Sequence, residues 1–301
     1  VVVTWNGAHL LADCLDAVLG QGGQVLVVDN ASVDGTAALL ARRYPHVRVL
    51  TSPINSGFAG GVALALAEVA TPVVVWLNND AVVGPGWLAA LLAPLADPSV
   101  AATTSRLLLP DGRLNSAGGL LTANGYGHDA GFGTVDDGRY DVAREVAYGC
   151  GGALALRTDA VREVGGVDPR YFLYFEDVDL SWRLHLAGYR LVYVPDAVVV
   201  HQHSASVGEF SLLHTFQTER NRLATLVVCA TPRLALRAAL RFPLTTASVA
   251  LHESRAKARA RVRAYASFLR WLPALLRRRR TVLVRVSRAQ VEARWLTEPA
   301  D

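Results

Sequence analysis

Cysteine, charge and long apolar runs are all scarce in this chain, and each shortage closes off a class of protein. The 301 residues include three cysteines, Cys14, Cys150 and Cys229. That odd number, without ligand-like spacing, fits reduced thiols in a cytosolic compartment and argues against zinc. Charged residues or proline interrupt every apolar stretch before the ~18 residues a spanning helix needs, so no transmembrane segment is expected. No basic n-region and apolar h-region open the chain either. Val1-Val2-Val3-Thr4 reads as a strand, so no signal peptide is expected, and a start on a strand without methionine implies that a few native residues are missing. There is no internal repeat and no low-complexity linker. No G-x-G-x-x-G follows Val1–Thr4, where the fingerprint of a Rossmann-type oxidoreductase would lie.

What is present is enough apolar material for a large interior. Hydrophobic residues make up 51% of the chain and charged residues 19%, far from the composition of disorder. The length allows one large domain or two ordinary ones. Charge is unevenly placed: residues 1–206 hold 12 basic and 20 acidic side chains, residues 207–301 hold 18 and 6. The tail is therefore a different kind of surface from the rest.

Strand-like runs at Val1–Thr4, Gln24–Val28, Val47–Thr51 and Val73–Leu77 alternate with helical patterns at Ala8–Leu19, Thr36–Tyr44, Val62–Ala70 and Gly86–Ala96. Alternation of this kind builds a parallel sheet covered on both faces. Ligands of such sheets sit beyond the carboxyl ends of the strands, where Trp5-Asn6, Asp29-Asn30 and Asn78-Asn79-Asp80 fall. Residues 105–147, rich in Gly, Asp and Asn, read as loops and hairpins. Ala153–Leu156 then reads as a strand, Arg157–Val164 and Val178–Ala187 as helices, and Leu191–Val194 and Ala197–Val200 as strands, the last ending at His201.

The run from Phe172 to Arg183 sets Glu176, Asp177 and Asp179 among aromatics, and it reads as an acid/base site. Asp179 stands four residues before Arg183, a favourable helical pair. Together with Asn78-Asn79-Asp80, which follows the apolar run Val73–Leu77, these acids suggest a nucleotide-sugar enzyme with one acid for a metal and another for a proton.

Five motifs in order carry a resemblance. Thr4-Trp5-Asn6-Gly7, the stretch from Val28 to Thr36, the stretch from Asn55 to Gly61, Leu77-Asn78-Asn79-Asp80 and Phe175-Glu176-Asp177, ending in His201 and Ser206, resemble the family 2 glycosyltransferases of GT-A fold, within them the bacterial rhamnosyltransferase-like branch. The resemblance implies an α/β fold with a mostly parallel central sheet flanked by helices. A nucleotide-sugar half would span about 1–104, an acceptor and catalytic half 105–206, and a helical, basic extension 207–301. It also implies inverting transfer from a nucleoside-diphosphate sugar, assisted by a divalent cation (Mn²⁺ or Mg²⁺). dTDP-rhamnose is the favoured donor, with UDP- and GDP-sugars as alternatives, and the acceptor would be a cell-envelope glycan on a lipid carrier.

Site residues carry over by motif. Thr4, Asn6, Asp29, Asp34, Asn55, Gly57, Asn79 and Asp80 fall on the donor side; Asp29 read alone would be a turn or an N-cap with Ser32 and Asp34. The glycines from Gly57 to Gly61 permit close backbone approach and suit an anion, although the Asn common shortly after them in the family is replaced by Val62-Ala63. Asp80 is the expected metal ligand, because a hard cation prefers carboxylate oxygen. With the family's first acid replaced by Asn78, metal affinity leans on His201, with His203 a lesser substitute. Asp177 is the expected general base, Glu176 its positioning or tuning partner. Gly151, Gly152, Phe175 and Trp182 are the expected acceptor contacts, and Arg220 and Arg222 either reach the phosphates or lie on the surface.

In the tail, Arg233, Arg237 and Arg241 stand four apart, and Arg277-Arg278-Arg279-Arg280 follow Phe268-Leu269-Arg270-Trp271-Leu272. Cationic rims beside aromatic wedges favour an anionic membrane surface. The expected location is peripheral on the cytoplasmic face of the cell membrane, with no nucleic-acid partner and a tail separable from donor binding. One further class is a non-catalytic nucleotide-sugar or glycan-binding module, which intact Asp80, Asp177 and His201 argue against.

Overall fold

The computed structural model describes residues 1–202 and 211–297; His203 and Ser206 lie outside the described residues. Its first half is the expected alternation: β1 (Val2–Thr4), α1 (Ala8–Leu19), β2 (Leu26–Asp29), α2 (Thr36–Arg43), β3 (Arg48–Thr51), α3 (Gly57–Glu68) and β4 (Val73–Asn78). These strands run parallel in the order β4-β1-β2-β3. β1 and β2 are buried along their whole length, which is why they read as unbroken apolar runs. Helix α3 starts at Gly57, five residues before the expected Val62, because its glycines serve packing: a Cβ on Gly61 would stand 2.5 Å from Val3 Cγ1. Only a bare helix surface can approach β1 that closely.

The second half adds β5 (Ala81–Val83), α4 (Trp87–Leu92), β6 (Val100–Leu108), β7 (Leu114–Ser116), β8 (Gly119–Thr122), β9 (Gly127–Asp129), β10 (Arg144–Glu145), β11 (Ala153–Arg157), α5 (Thr158–Glu163), α6 (Glu176–Leu186) and β12 (Arg190–His201). Here the sheet becomes mixed. β11 is antiparallel to both β4 and β6, β12 is parallel to β6, and β5 and β10 run antiparallel to β12. The two strands expected on either side of Pro195 are one, β12. Its pairing with β6 shifts register between Val194 and Val198, and such an irregularity tolerates a residue without an N–H.

The last helices are α7 (Leu212–Cys229), α8 (Pro232–His252), α9 (Arg255–Thr281) and α10 (Arg288–Trp295), before β13 (Leu296–Thr297). They are built into the body. Leu223, Phe268, Leu275 and Val291 belong to the same buried cluster as Trp76 and Leu180, and β13 pairs with β8. Removing residues from 255 onward would therefore open this core, contrary to a separable tail. The expected rim of four arginines is corrected as well. Arg278 binds Asp179 at 2.8 Å, and Arg279 donates to the carbonyls of Val227 and Ala230, both at 2.7 Å. Phe268 is buried, and the Trp271 ring meets Tyr171 edge-on. Helix α8 is interrupted by Arg237, Arg241 and Pro243 as expected, yet by length and composition it is long and apolar enough to cross a bilayer.

Candidate active site

The donor-side residues stand at the carboxyl ends of β1, β2 and β4, and they hold one another. Asn79 Nδ2 donates to Thr4 Oγ1 at 3.0 Å, and Val33 N donates to Asn6 Oδ1 at 2.8 Å. Asp29 accepts from Ser32 N at 3.0 Å, while Asp34 accepts from Ala8 N and from both the amide and the hydroxyl of Thr36. Asp34 thus ties the first turns of α1 and α2. Asn30 Nδ2 donates to Asn55 Oδ1 and to the Gly57 carbonyl. Gly57 has φ of +71°, and a Cβ there would lie 2.1 Å from the Phe172 carbonyl oxygen. The Ala59 amide donates to that same oxygen at 3.1 Å. This first-turn amide of α3 therefore serves the loop before Glu176.

Asp80 and His201 are both buried and close: Asp80 Oδ1 lies 3.2 Å from His201 Nε2, and Asn78 Nδ2 lies 3.1 Å from the same nitrogen. On the far side of the ring, His201 Nδ1 is 2.6 Å from Asn115 Oδ1. An amide oxygen accepts the Nδ1 proton, which orients the ring so that Nε2 faces the carboxylate. Two lone-pair atoms at this spacing call for a proton or a cation between them, and the Asn115 contact is the outer-shell bond typical of a metal-bound histidine. The pair fits a divalent cation that takes its remaining oxygens from elsewhere; among the described residues no group of three or more His, Cys, Asp or Glu could hold a metal alone.

Asp177 stands at the start of α6 with both oxygens engaged. Oδ2 accepts from Gly151 N at 2.9 Å and Oδ1 from Val178 N at 2.7 Å. Its pKa is raised by burial, which these amides partly offset. Glu176 is buried deeper, and its Oε2 finds no hydrogen-bond partner. Burial first, then the charge of Asp177, raise it well above the carboxylate range. Of the two, Glu176 is the one whose charged form is more strongly disfavoured. The glycines bind this arrangement together: a Cβ on Gly151 would lie 3.3 Å from Asp177 Oδ2, and one on Gly152 3.4 Å from His201 Cε1.

Two expected acceptor contacts are corrected. Trp182 is 1% exposed and Phe175 7%, both within the core, so neither ring can stack on a sugar. Arg220 and Arg222 are both engaged with the fold, Arg220 half-buried and Arg222 buried. Arg220 donates to the carbonyls of Arg170 and Tyr171, and buried Arg222 to the Asn124 carbonyl while lying over the Tyr126 ring.

The structure adds residues that the sequence did not single out. Asp129 on β9 accepts from Ser116 Oγ at 2.7 Å, and its pKa is pushed up to about 6 by burial and then by the charge of Asp177. Asn221 on α7 is fully buried, and its Nδ2 donates to the carbonyls of Tyr171, Leu173 and Tyr174 at 2.7 to 2.9 Å. The loop it grips holds Phe172, Tyr174 and Phe175 at positive φ, a conformation that costs each side chain energy. Asp179 is held by Arg183, Arg278 and the Tyr171 hydroxyl. Burial alone would raise Asp179, and the two guanidiniums more than offset it.

A parallel βα half joined to a mixed half, with an aspartate–histidine pair and a catalytic-type carboxylate on either side of one glycine pair, defines a glycosyltransferase of GT-A fold. Solved structures support the fold. GalNAc-T7 with UDP, GalNAc and Mn²⁺ superposes with a TM-score of 0.64 at 15% identity, over 91% of this chain and 56% of that one. A mannosyltransferase from Pyrobaculum calidifontis with GDP-Man and Mn²⁺ gives 0.55 at 20% identity, over 98% and 86%. The family model of glycosyl transferase family 2 matches residues 1–165. N-acetylglucosaminyl-diphospho-decaprenol L-rhamnosyltransferase of Mycobacterium tuberculosis is 33% identical over 241 residues, 71% of this chain and 78% of that protein. The chain belongs to glycosyl transferase family 2, in its rhamnosyltransferase branch.

Proposed function

We propose that this glycosyltransferase is inverting and metal-dependent, and that it moves rhamnose from dTDP-rhamnose to a lipid-linked glycan of the cell envelope at the cytoplasmic face of the membrane. The observation that carries the mechanism is the Gly151-Gly152 junction, which sets Asp177 against one glycine and His201 against the next. The rhamnosyl group and the lipid-linked acceptor follow the activity for which the mycobacterial relative is named, and the dTDP carrier follows the family resemblance. In this reading residues 1–104 bind the donor, 105–206 supply the acceptor side, and the extension from 207 faces the membrane.

A divalent cation, Mn²⁺ or Mg²⁺, held by Asp80 and His201 Nε2, would neutralise charge gathering on the departing diphosphate. Asn115, accepting from Nδ1, keeps His201 in the tautomer that aims Nε2 at Asp80. Thr4, Asn6, Asp29, Asp34, Asn55, Gly57 and Asn79 shape the strand-end crevice for the nucleotide. Asp177 takes the proton of the acceptor hydroxyl as that oxygen bonds to the anomeric carbon, opposite the bond to the leaving phosphate. Such a base contributes ~10²–10⁴-fold. Glu176, whose charged form burial disfavours more strongly, leaves Asp177 the better placed of the two to accept that proton. Gly151 and Gly152, without side chains, leave room for the acceptor beside both groups.

A thermal-stability screen tests the reading, since a donor that binds the folded state raises apparent stability by ~2.7 kcal/mol at a hundred times its Kd. dTDP-rhamnose should stabilise more with Mn²⁺ than without, and Asp80→Ala or His201→Ala should remove that increment. A larger shift with UDP- or GDP-sugars would reassign the donor. No shift with any nucleotide sugar would overturn the reading.

A further inference from the structure

The solvent face of α8 carries what a soluble helix normally hides. Leu236, Leu240, Leu244 and Leu251 are 60%, 65%, 72% and 80% exposed. At about 100° per residue they fall, with Ala247, inside an arc of about 80°. The opposite face holds the buried residues Leu234, Phe242 and Thr246, and only 17% of the helix's most apolar window is buried. These leucines therefore do not serve the core. Helix α9 repeats the pattern, with Val262, Leu269 and Leu276 exposed at seven-residue spacing. A groove of about 550 Å³ joins the two helices; Ala247 and Val262 line it from the two exposed edges, with Phe242 and Tyr265 between and Arg255 and Arg259 among its walls.

Cations flank both stripes. Arg233 and Arg241 on α8, and Arg259, Arg263, Arg270 and Arg277 on α9, are exposed, as is Arg237, which also donates to the Ala123 carbonyl at 2.9 Å. The single acid between residues 232 and 281 is Glu253, and Lys257 pairs with it at 3.6 Å. An apolar ridge bordered by arginines and nearly free of acids complements a surface that is apolar inside and anionic at its boundary. Scattered exposed leucines need no explanation, but a contiguous ridge of them does. Spanning is a poor fit for α8, because its inner face is committed: Phe242 stacks on Tyr265 at a centroid distance of 5.1 Å, and Thr246 accepts from Arg261 Nε at 3.1 Å.

We propose that the exposed face of the α8–α9 hairpin lies on an anionic lipid bilayer, with Leu236, Leu240, Leu244 and Leu251 in the acyl boundary and the flanking arginines at the level of the lipid phosphates. Membrane placement is part of the function proposed above and the inference rests on it, while the docking face itself is new: it is the leucine ridge, and not the Arg277–Arg280 run, two of whose members point into the fold. Long arginine stems reach the headgroups while their apolar parts lie along the ridge. The orientation is that of an interfacial helix pair.

Co-sedimentation with vesicles tests this, using phosphatidylcholine alone and phosphatidylcholine containing phosphatidylglycerol, at low and high salt. The full chain should prefer the anionic vesicles about tenfold or more at low salt, and the preference should fade as salt rises. Leu236→Ser, Leu240→Ser and Leu244→Ser combined should weaken partitioning roughly a hundredfold, with no loss of thermal stability because these side chains touch no core. Arg259→Gln, Arg263→Gln and Arg270→Gln combined should remove the preference for phosphatidylglycerol. Wild-type indifference to anionic vesicles, or unchanged binding by the leucine variant, would overturn the proposal. So would a leucine variant that turns a dimer into a monomer in sedimentation velocity, since the ridge would then join two copies of this chain. Nucleotide-sugar stabilisation is measured on the same samples. Vesicle binding without donor binding would leave the docking face standing and refute the enzymatic reading; the reverse result would do the opposite.

Discussion

Asp29 and Asn78 reach the cleft from the ends of buried parallel strands, whereas Asp177 reaches it from a loop that distant segments hold. On the strand side, position follows from the sheet: β1, β2 and β4 pair in register, and whatever follows each of them is delivered to the same crevice. On the loop side, Phe172, Tyr174 and Phe175 sit at positive φ and would relax if released. The Ala59 amide holds the loop from the donor half, Asn221 from α7, and Arg278 anchors the following helix from α9. The two regions teach that the strand-end crevice is a property of the first hundred residues, while Asp177 is aimed only when the last hundred are folded onto them.

The largest break in this comparison should come from Arg278→Leu. It leaves Asp179 buried with Arg183 as its remaining cation, and removing one member of a buried ionic set typically costs ~3–5 kcal/mol. Chemical unfolding should register that loss at neutral pH. Asp179 is held below its ordinary pKa in the folded state, so its stabilisation is present above the unfolded value and is lost as pH falls through the folded one. The gap between wild type and variant should accordingly narrow below about pH 4.

A smaller and more selective effect is expected of Asn221→Ala. Three loop carbonyls lose one shared donor, and leaving such groups unpaired costs ~1–3 kcal/mol. Because the loop rather than the strand ends is loosened, kcat should drop with little change in the KM for the donor, and steady-state kinetics separates the two. An equal rise in donor KM would mean that the two regions are not mechanically distinct.

The smallest effect sharpens the site itself. The charge of Asp177 helps to raise Asp129 and burial raises Asp177, so the acid limb of the rate profile should lie above the ordinary carboxylate range. Asp129→Asn removes a negative charge, stabilises ionised Asp177, and should move that limb to lower pH. A limb that stays in place would separate Asp129 from the reacting group.

The same contrast explains what could be read from sequence. Period and turn chemistry delivered β1 to β4 and their helices, and polar residues just past apolar strands marked Thr4, Asp29 and Asn79 before any coordinates. The Glu176-Asp177 pair was legible because acids among aromatics are costly unless used. Asp129 was not, since nothing distinguishes it locally from Asp136, Asp137 and Asp141 in the same hairpin region. Asn221 and Arg278 depend on partners 47 or more residues away in the chain, and their chemistry reads as that of any polar helix surface. Trp182 shows the opposite failure. An aromatic one turn beyond a catalytic-type acid looks like a sugar platform, yet the helical period turns it into the core.

The division of labour between the two regions is tested most directly by measuring donor affinity and turnover on the same Asp177→Asn protein. Calorimetry should give a nucleotide-sugar Kd close to that of wild type, since the crevice at the ends of β1, β2 and β4 is untouched. Transfer should fall by ~10²–10⁴-fold, the usual contribution of a general base. Near-normal transfer by this variant, or loss of donor binding together with transfer, would contradict the account.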